Sequence, residues 1–349
     1  MKLPDPILIV QTAFLGDVIL TLPVAEALGE VAPGVSVDML VIPAPAAVLA
    51  GHPGIREAIV YDKRGADSGA GGFLRVLRAL KRRKYACAIV PHRSIRSALL
   101  ARLAGIPVRV GFDASAGKSL FTRVVPYQKE LHEIGRNLAL LEAVGCAPRP
   151  AAPPRLFPSD AERRAVGDFL GAAAAPGAPP LVAIAPGTVW NTKRWPAARF
   201  SELARSLAAR GYGVVLVGGR EDAASCAEIA ASAGREGILD ACGKFSVLGS
   251  AEVIRRSALL VCNDSAPLHL AAAMRTPVLA IFGATIPSFG FGPTGPRDAV
   301  METAGLSCRP CSIHGGDACP VGTFECMLSI APAAVLDTAV SILAGSKPA

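Results

Sequence analysis

No G-x-G-x-x-G fingerprint follows the first apolar run of this sequence, and no Walker sequence occurs anywhere in it. Dinucleotide oxidoreductases and P-loop enzymes therefore lose their main support, because both build a phosphate seat from those glycines. No membrane span is expected either. The two long uncharged stretches, Phe169–Thr192 and Thr276–Pro296, are each broken by several prolines and glycines. Only one lysine precedes the apolar run Ile7–Leu15, Asp17 interrupts the pattern, and no convincing small-residue cleavage site follows. That stretch is expected to be the first strand and helix of the fold and not a secretory signal. Aromatic residues are scarce at 5% and charged ones make up 18%, against 51% hydrophobic. The composition is that of a well-cored globular chain and not a disordered one, and 349 residues suggest two domains.

The formal net charge is +8. Much of the local excess lies in Arg75, Arg78, Lys81, Arg82, Arg83 and Lys84. Such a face suits nucleic acid, an anionic membrane surface or a phosphorylated substrate, and it also suits plain solvation. There are nine cysteines. Cys87, Cys146, Cys226, Cys242 and Cys262 are scattered in apolar context and read as small buried hydrophobes. Cys308, Cys311, Cys319 and Cys326 cluster in "CRPCSIHGGDACPVGTFECM". Without a secretory signal a disulfide pair is disfavoured there. A structural metal site is the alternative, although the second half departs from the C-x-x-C of common zinc ribbons.

Apolar runs alternate with helical patterns along the whole chain. Strands are expected at Ile7–Val10, Val35–Val41, Cys87–Val90, Val108–Gly111, Leu181–Ala185, Gly213–Val217, Leu259–Cys262 and Pro277–Phe282. Helices are expected at Asp17–Leu28, Phe73–Arg83, Ser94–Ala104, His132–Val144, Ser159–Leu170, Ala197–Arg210, Ala251–Ser257, Pro267–Met274 and Pro332–Leu343. Pro- and Ala-rich passages at Pro148–Pro154 and Ala172–Pro180 interrupt the series, and the interdomain connection belongs in this region. The expected fold is α/β: two doubly wound, Rossmann-like domains, 1–170 and 171–349, facing across a cleft. In that architecture ligands bind at the carboxyl ends of the strands, so the loops that follow strands carry the chemistry.

Asp17 lies on the first of these loops. It reads either as a helix cap or as a catalytic base. "APGTVWNTKRWP", Ala185–Pro196, leaves a buried strand and enters a helix, offering Thr188, Asn191, Thr192, Lys193 and Arg194. Hydroxyls, an amide and cations beside a helix start suit a phosphate. In "VGGREDAAS", Gly218 and Gly219 permit a tight turn, and Glu221 or Asp222 can accept from a ribose or simply face the helix dipole. "VCNDSAPLHLAAAM" places Asp264 and Ser265 at a strand end, with His269 one turn into the helix. The backbone N–H groups at residues 265–267 are expected to hold a diphosphate. His269 reads either as a donor to that anion or as a packed residue. The uncharged glycine-rich loop Gly283–Gly295 shapes a site and does not catalyse.

"FLGDVILTLPVAEAL", "APGTVWNTKRWP", "NDSAPLHLAAA" and the cysteine tail together resemble the bacterial ADP-heptose:lipopolysaccharide heptosyltransferases of glycosyltransferase family 9, most of all the second heptosyltransferase. The similarity runs over nearly the whole chain. It implies a GT-B fold and an inverting glycosyl transfer without a required metal, in keeping with the lack of an Asp-x-Asp motif. It implies Asp17 as general base, Thr188 and Lys193 on the phosphates, and Glu221 near the ribose or base. It further implies Phe245 against adenine, Asp264 on the heptose, and Ser265, Ala266 and His269 around the diphosphate. The donor would be ADP-L-glycero-D-manno-heptose, with no other cofactor, and the acceptor the phosphorylated inner core on lipid A. His92, Arg93, Ser94 and Arg96 are the candidates to grip that acceptor.

The implied enzyme is a cytoplasmic monomer at the inner face of the inner membrane, with the basic helix on the anionic leaflet and no nucleic-acid partner. Two other readings remain. One is a GT-B transferase with another donor or core position, as in heptosyltransferases I and III. The other is a non-catalytic sugar-nucleotide-binding module. Thr188–Val189 stands where some members have two threonines, and Asp264–Ser265–Ala266 where some have Asp-Thr-Gly.

Overall fold

The computed structural model describes residues 3–234 and 237–345. The chain forms two compact units, Met1–Phe157 and Pro158–Ala349. Unit 1 contains β1 (Ile7–Val10), α1 (Leu15–Val31), β2 (Val37–Val41), α2 (Pro43–Ala46), β3 (Glu57–Val60) and α3 (Gly69–Arg83). It continues with β4 (Cys87–Val90), α4 (Ile95–Leu103), β5 (Val108–Phe112), β6 (Arg123–Val125) and α5 (Glu133–Ala139). Its described strands form one parallel sheet in the order β3-β2-β1-β4-β5-β6. The register is set by pairs such as Ile7 with Val37 and Ile7 with Cys87.

Unit 2 opens with α6 (Asp160–Leu170), β7 (Leu181–Ala185), α7 (Ala197–Ala209), β8 (Gly213–Leu216), α8 (Ala223–Ala233) and β9 (Ile238–Asp240). Then come α9 (Val247–Arg255), β10 (Leu259–Asn263), α10 (Ala266–Met274), β11 (Val278–Phe282), β12 (Ala299–Glu302), α11 (Glu325–Leu328) and α12 (Pro332–Leu343). Its parallel sheet runs β12-β11-β10-β7-β8-β9, the same winding as in unit 1. Each sheet has the classical dinucleotide-fold strand order, and two such domains in one chain are the GT-B architecture.

The inner strands β1, β2, β4, β7, β10 and β11 are buried at every position. A parallel sheet covered by helices on both faces requires this, which is why those strands appear as unbroken apolar runs. Trp195, Phe200, Ile184, Val261 and Ile281 belong to the core of unit 2. Leu8, Val10, Leu40, Tyr61 and Val90 do so in unit 1. Buried Asp38 in β2 is neutralised by Arg56, whose Nε donates to Oδ1 at 2.8 Å, and it also accepts from the Tyr85 hydroxyl at 2.5 Å.

Helix α6 starts on a reciprocal cap. Ser159 Oγ accepts the Glu162 N–H at 3.2 Å, and Glu162 Oε2 accepts the Ser159 N–H at 2.8 Å. The helix packs on α9 and so belongs to unit 2, whereas a boundary at residue 170 assigns it to the first domain. The helix expected over His132–Val144 is shorter. After Ala139 the chain tightens into i→i+3 bonds, and Gly145 closes it at φ +91°.

One reading of the cysteines changes. Cys226 in α8 and Cys242 after β9 are joined as a disulfide and are not separate small hydrophobes. The β8–α8–β9 crossover brings both to one end of the sheet. The four tail cysteines stand near one another: charge on Cys308 and Cys319 acts on Cys311, and charge on all three acts on Cys326. Among the described residues, a group of three ligand-type side chains whose atoms all lie within 4.8 Å of one another is formed by Cys226, Asp240 and Cys242. Cys326 also packs into the core of unit 2, and Cys311 Sγ donates to Cys308 O at 3.3 Å. No described helix is long and apolar enough to cross a membrane.

Candidate active site

Each sheet reverses its winding at one place, between β1 and β4 in unit 1 and between β7 and β10 in unit 2. Loops leaving two such strands turn to opposite faces and open a crevice at the carboxyl ends. Asp17 and His92 follow one pair of strands. Lys193 and Asp264 follow the other.

Asp17 is not the N-cap of α1. Phe14 occupies that position and has no side-chain acceptor, so Asp17, in the first helical turn, folds back and its Oδ2 accepts the Phe14 N–H at 3.1 Å. The carboxylate thus closes the helix start, on the turn that follows β1. Loss of surrounding water raises its pKa most, the charge of Glu133 adds to this, and the Phe14 N–H and Arg93 oppose it, leaving Asp17 at about 6. Such a group is ionised at neutral pH and more basic than an ordinary aspartate, which suits a general base. Thr21 Oγ1 donates to the Asp17 carbonyl at 2.7 Å and accepts from Gln11 Nε2 at 3.0 Å, anchoring this turn.

After β4, His92 Nδ1 lies 3.0 Å from Thr12 Oγ1 and 2.9 Å from Ser97 Oγ. Burial first, then the charges of Lys63 and Arg93, push its pKa down to about 4. His92 is therefore neutral at pH 7 and offers a hydrogen bond, not a charge. Ser94 caps α4, its Oγ accepting the Arg96 N–H at 3.3 Å. Arg93 stands over the Tyr127 ring at 4.5 Å, and Arg96 is exposed. Lys63 was missed by sequence reading. Its Nζ donates to the Thr12 carbonyl at 2.7 Å, and burial, with Arg64 and Arg96, holds its pKa below that of an ordinary lysine. It sits after β3, an edge strand without an apolar signal.

In unit 2, Lys193 Nζ lies 2.6 Å from Asp264 Oδ2, which also accepts from Thr285 Oγ1 at 2.6 Å. Asn263 fixes both ends of the long loop after β7. Its Nδ2 donates to Pro186 O at 2.8 Å, and its Oδ1 accepts the Trp195 N–H at 3.0 Å. Asn263 and Thr285 were also missed. The available signal for Asn263 was a polar residue ending an apolar strand, and Thr285 lay in a loop credited only with shape. Thr188 contributes its carbonyl to Arg194 Nη2 at 2.7 Å. Ser265 caps α10 by position and donates its Oγ to Asn263 O at 3.3 Å. Of the backbone N–H groups expected at residues 265–267, one is chemically absent, because Pro267 has none. Ser265 and Ala266 supply the remaining two. His269 is buried in the first turns of α10.

Glu221 is exposed in the short turn after β8. Its neighbour Asp222 is the acid set into the loops. Its Oδ2 accepts the Gly219 N–H at 3.0 Å, and a Cβ at Gly187 would meet its Oδ1 at 2.2 Å. Burial raises the Asp222 pKa. Phe245 is half-buried with its ring edge-on to Phe169 at 5.3 Å. The tail also reaches the loop after β7. Gly316 N donates to Thr192 Oγ1 at 2.8 Å, and Gly316 O accepts the Thr192 N–H at 3.0 Å.

Residues 73–316 match glycosyltransferase family 9 (heptosyltransferase). The chain is 30% identical over 317 residues to lipopolysaccharide heptosyltransferase 1 of Pseudomonas aeruginosa, covering 87% of this chain and 85% of that one. It is 26% identical over 352 residues to lipopolysaccharide heptosyltransferase 2 of Escherichia coli K12, covering 97% and 98%. Among solved structures it resembles the E. coli ADP-heptose lipopolysaccharide heptosyltransferase II, with a TM-score of 0.80 at 24% identity over 97% of this chain and 99% of that one.

Proposed function

The chain belongs to glycosyltransferase family 9 and is a glycosyltransferase; from that premise we propose that it transfers L-glycero-D-manno-heptose from ADP-heptose to the lipopolysaccharide inner core with inversion. The observation that carries this reading is the setting of Asp17: a half-buried carboxylate at the switch point of unit 1, titrating at about 6. As an acceptor hydroxyl attacks the anomeric carbon, Asp17 takes its proton. The bond from that carbon to the ADP oxygen breaks, and the negative charge passes to the departing diphosphate. Lys193 and the N–H groups of Ser265 and Ala266 meet that charge, so the step needs no metal. Thr188 joins them on the phosphates. Asp264, held by Lys193 and Thr285, accepts from heptose hydroxyls, with His269 beside the diphosphate. Glu221 serves the ribose, and Phe245 lies against the base.

His92, Arg93, Ser94 and Arg96 surround the phosphorylated acceptor, with Arg93 and Arg96 supplying charge. The match to the type 2 relative runs nearly end to end, and this favours addition of the second heptose. The 30% identity to the type 1 relative supports the alternative of the first. Acceptors carrying no heptose or one separate the two. Helix α3 supports a peripheral position on the anionic inner leaflet for a monomeric enzyme. Arg78, Lys81 and Arg82 are exposed on it and Lys84 at its C-cap, whereas Arg75 and Arg83 are paired with Asp67 and Glu57.

The deciding experiment is D17N, assayed for ADP release with acceptor and for ADP binding by calorimetry. Loss of transfer with binding intact is the expected result. Loss of both assigns Asp17 a structural role only, and unchanged transfer removes it as the base.

A further inference from the structure

Helices α1 and α5 pack side by side. One level of the contact is explicit: Asn137 Nδ2 donates to Leu20 O at 3.2 Å and to Thr21 Oγ1 at 3.4 Å. Four residues earlier on the two helices stand Glu133 and Asp17. Residues four apart share a helix face, and beyond α5 Arg149 pairs with Glu30 near the end of α1, so the two segments run in the same sense. The bonded level at Asn137 and Thr21 therefore stacks the Glu133 turn beside the Asp17 turn.

Glu133 is buried and held in place. Its Oε2 accepts from Tyr127 Oη at 3.0 Å and from Arg136 Nη1 at 3.0 Å. The Tyr127 ring in turn lies under Arg93 at 4.5 Å and Arg136 at 4.8 Å. One aromatic ring thus joins the acid beside Asp17 to the arginine that also acts on Asp17. A helix-dipole role asks only for an acid in the first turn; it does not ask for one fixed from two sides.

We propose that Glu133 is a positioning residue for Asp17: fixed by Tyr127 and Arg136 at the α1–α5 contact, it places a negative charge behind the carboxylate that takes the acceptor proton. The proposal rests on the reading of Asp17 as the base. A nearby like charge favours the protonated form of a carboxylate and so strengthens it as a base. The charged groups acting on Asp17 are Glu133 from α5 and Arg93 from the loop after β4, and they act in opposite directions. Those at Glu133 are Arg136 and Tyr127, with His132 at the cap of α5.

The test is the titration of the Asp17 side-chain carboxyl carbon by NMR in the full chain, identified by its loss in D17N. Beside it runs the acid limb of kcat/KM for ADP-heptose with a lipid A–core acceptor. In E133Q both midpoints are expected to fall by roughly half a pH unit or more, while E133D, which keeps the charge, stays near the parent. An unmoved NMR midpoint in folded E133Q overturns the proposal. Because E133Q leaves a buried arginine without its anion, E133M combined with R136M is the second variant. It removes the pair whole; a downward shift is again expected, and no shift again overturns the proposal. Transfer retained by D17N defeats the base reading itself. Transfer lost in D17N together with an unmoved E133Q midpoint defeats only the role of Glu133.

Discussion

Lys193 Nζ stands 2.6 Å from Asp264 Oδ2, and this ion pair ties the loop after β7 to the loop after β10 at the point where the unit 2 sheet reverses its winding. The pair is nearly buried, with side-chain exposures of 13% and 9%. Removing one partner therefore leaves a charge with little water to turn to. K193M is expected to weaken ADP binding at least about tenfold, since one hydrogen bond to a charged group contributes about 1.5–3 kcal/mol. The melting temperature should also fall, with Asp264 left to Thr285 alone. Calorimetry with ADP and a thermal melt read the two effects; unchanged ADP affinity would remove Lys193 from the donor site.

Transfer should depend on pH through Asp17. The base must be ionised, so kcat/KM is expected to fall as pH drops through about 6, following the raised pKa of this group. An acid limb near 4, where an ordinary aspartate titrates, would show that another group is limiting.

The same shift has a consequence for stability, with a definite sign. A carboxyl whose pKa is higher in the folded chain than in the unfolded one binds more protons when folded over the interval between the two values. Stability is then lost as pH rises from near 4 to about 6 and stays lost above. At pH 8, D17N is expected to melt no lower than the parent and to gain relative to it as pH rises from 4 to 8. Asn keeps an acceptor for the Phe14 N–H. A D17N protein that melts well below the parent at pH 8 would mean that the carboxylate is chiefly a cap.

Gly315, at φ +89°, lies against the loop after β7. A Cβ there would meet Lys193 Cδ at 2.9 Å and Trp190 Cβ at 3.1 Å. G315A combines a left-handed strain of about 1 kcal/mol with a push on Lys193. The KM for ADP-heptose is expected to rise while the acid limb set by Asp17 stays in place. A change confined to that acid limb would contradict the assignment of this contact to the donor side.

Membrane association should reside in the exposed cations of α3. Replacing Arg78, Lys81, Arg82 and Lys84 with glutamate is expected to abolish binding to anionic liposomes, each cation contributing about 1 kcal/mol near the surface. Arg75 and Arg83 are left alone because their pairs with Asp67 and Glu57 brace the helix. Undiminished binding by the quadruple variant would place the membrane contact elsewhere.

The inner strands could be read from sequence because burial on both faces demands unbroken apolar runs. Ile7–Val10, Cys87–Val90 and Leu181–Ala185 fall at their expected bounds. The four strands left unread, β3, β6, β9 and β12, are the four edges of the two sheets. An edge strand has a neighbour on one side only and is partly exposed, so Glu57–Val60 and Arg123–Val125 carry no continuous apolar signal. Lys63 went unnoticed for the same reason, because it follows one of these strands.

The sequence by itself determined the alternation of parallel strands and helices, and hence which loops stand at the carboxyl ends, because those depend on local burial pattern and strand-to-helix order. It named Asp17, Lys193 and Asp264 on such loops. Only the tertiary structure decided which of these residues meet. Lys193 and Asp264 are separated by 71 positions yet are paired, Asn137 reaches back to Leu20, and Cys226 meets Cys242. Local pattern places a residue on an element; the pairing of strands places elements beside one another, and the charge that one side chain feels from another depends on that second step.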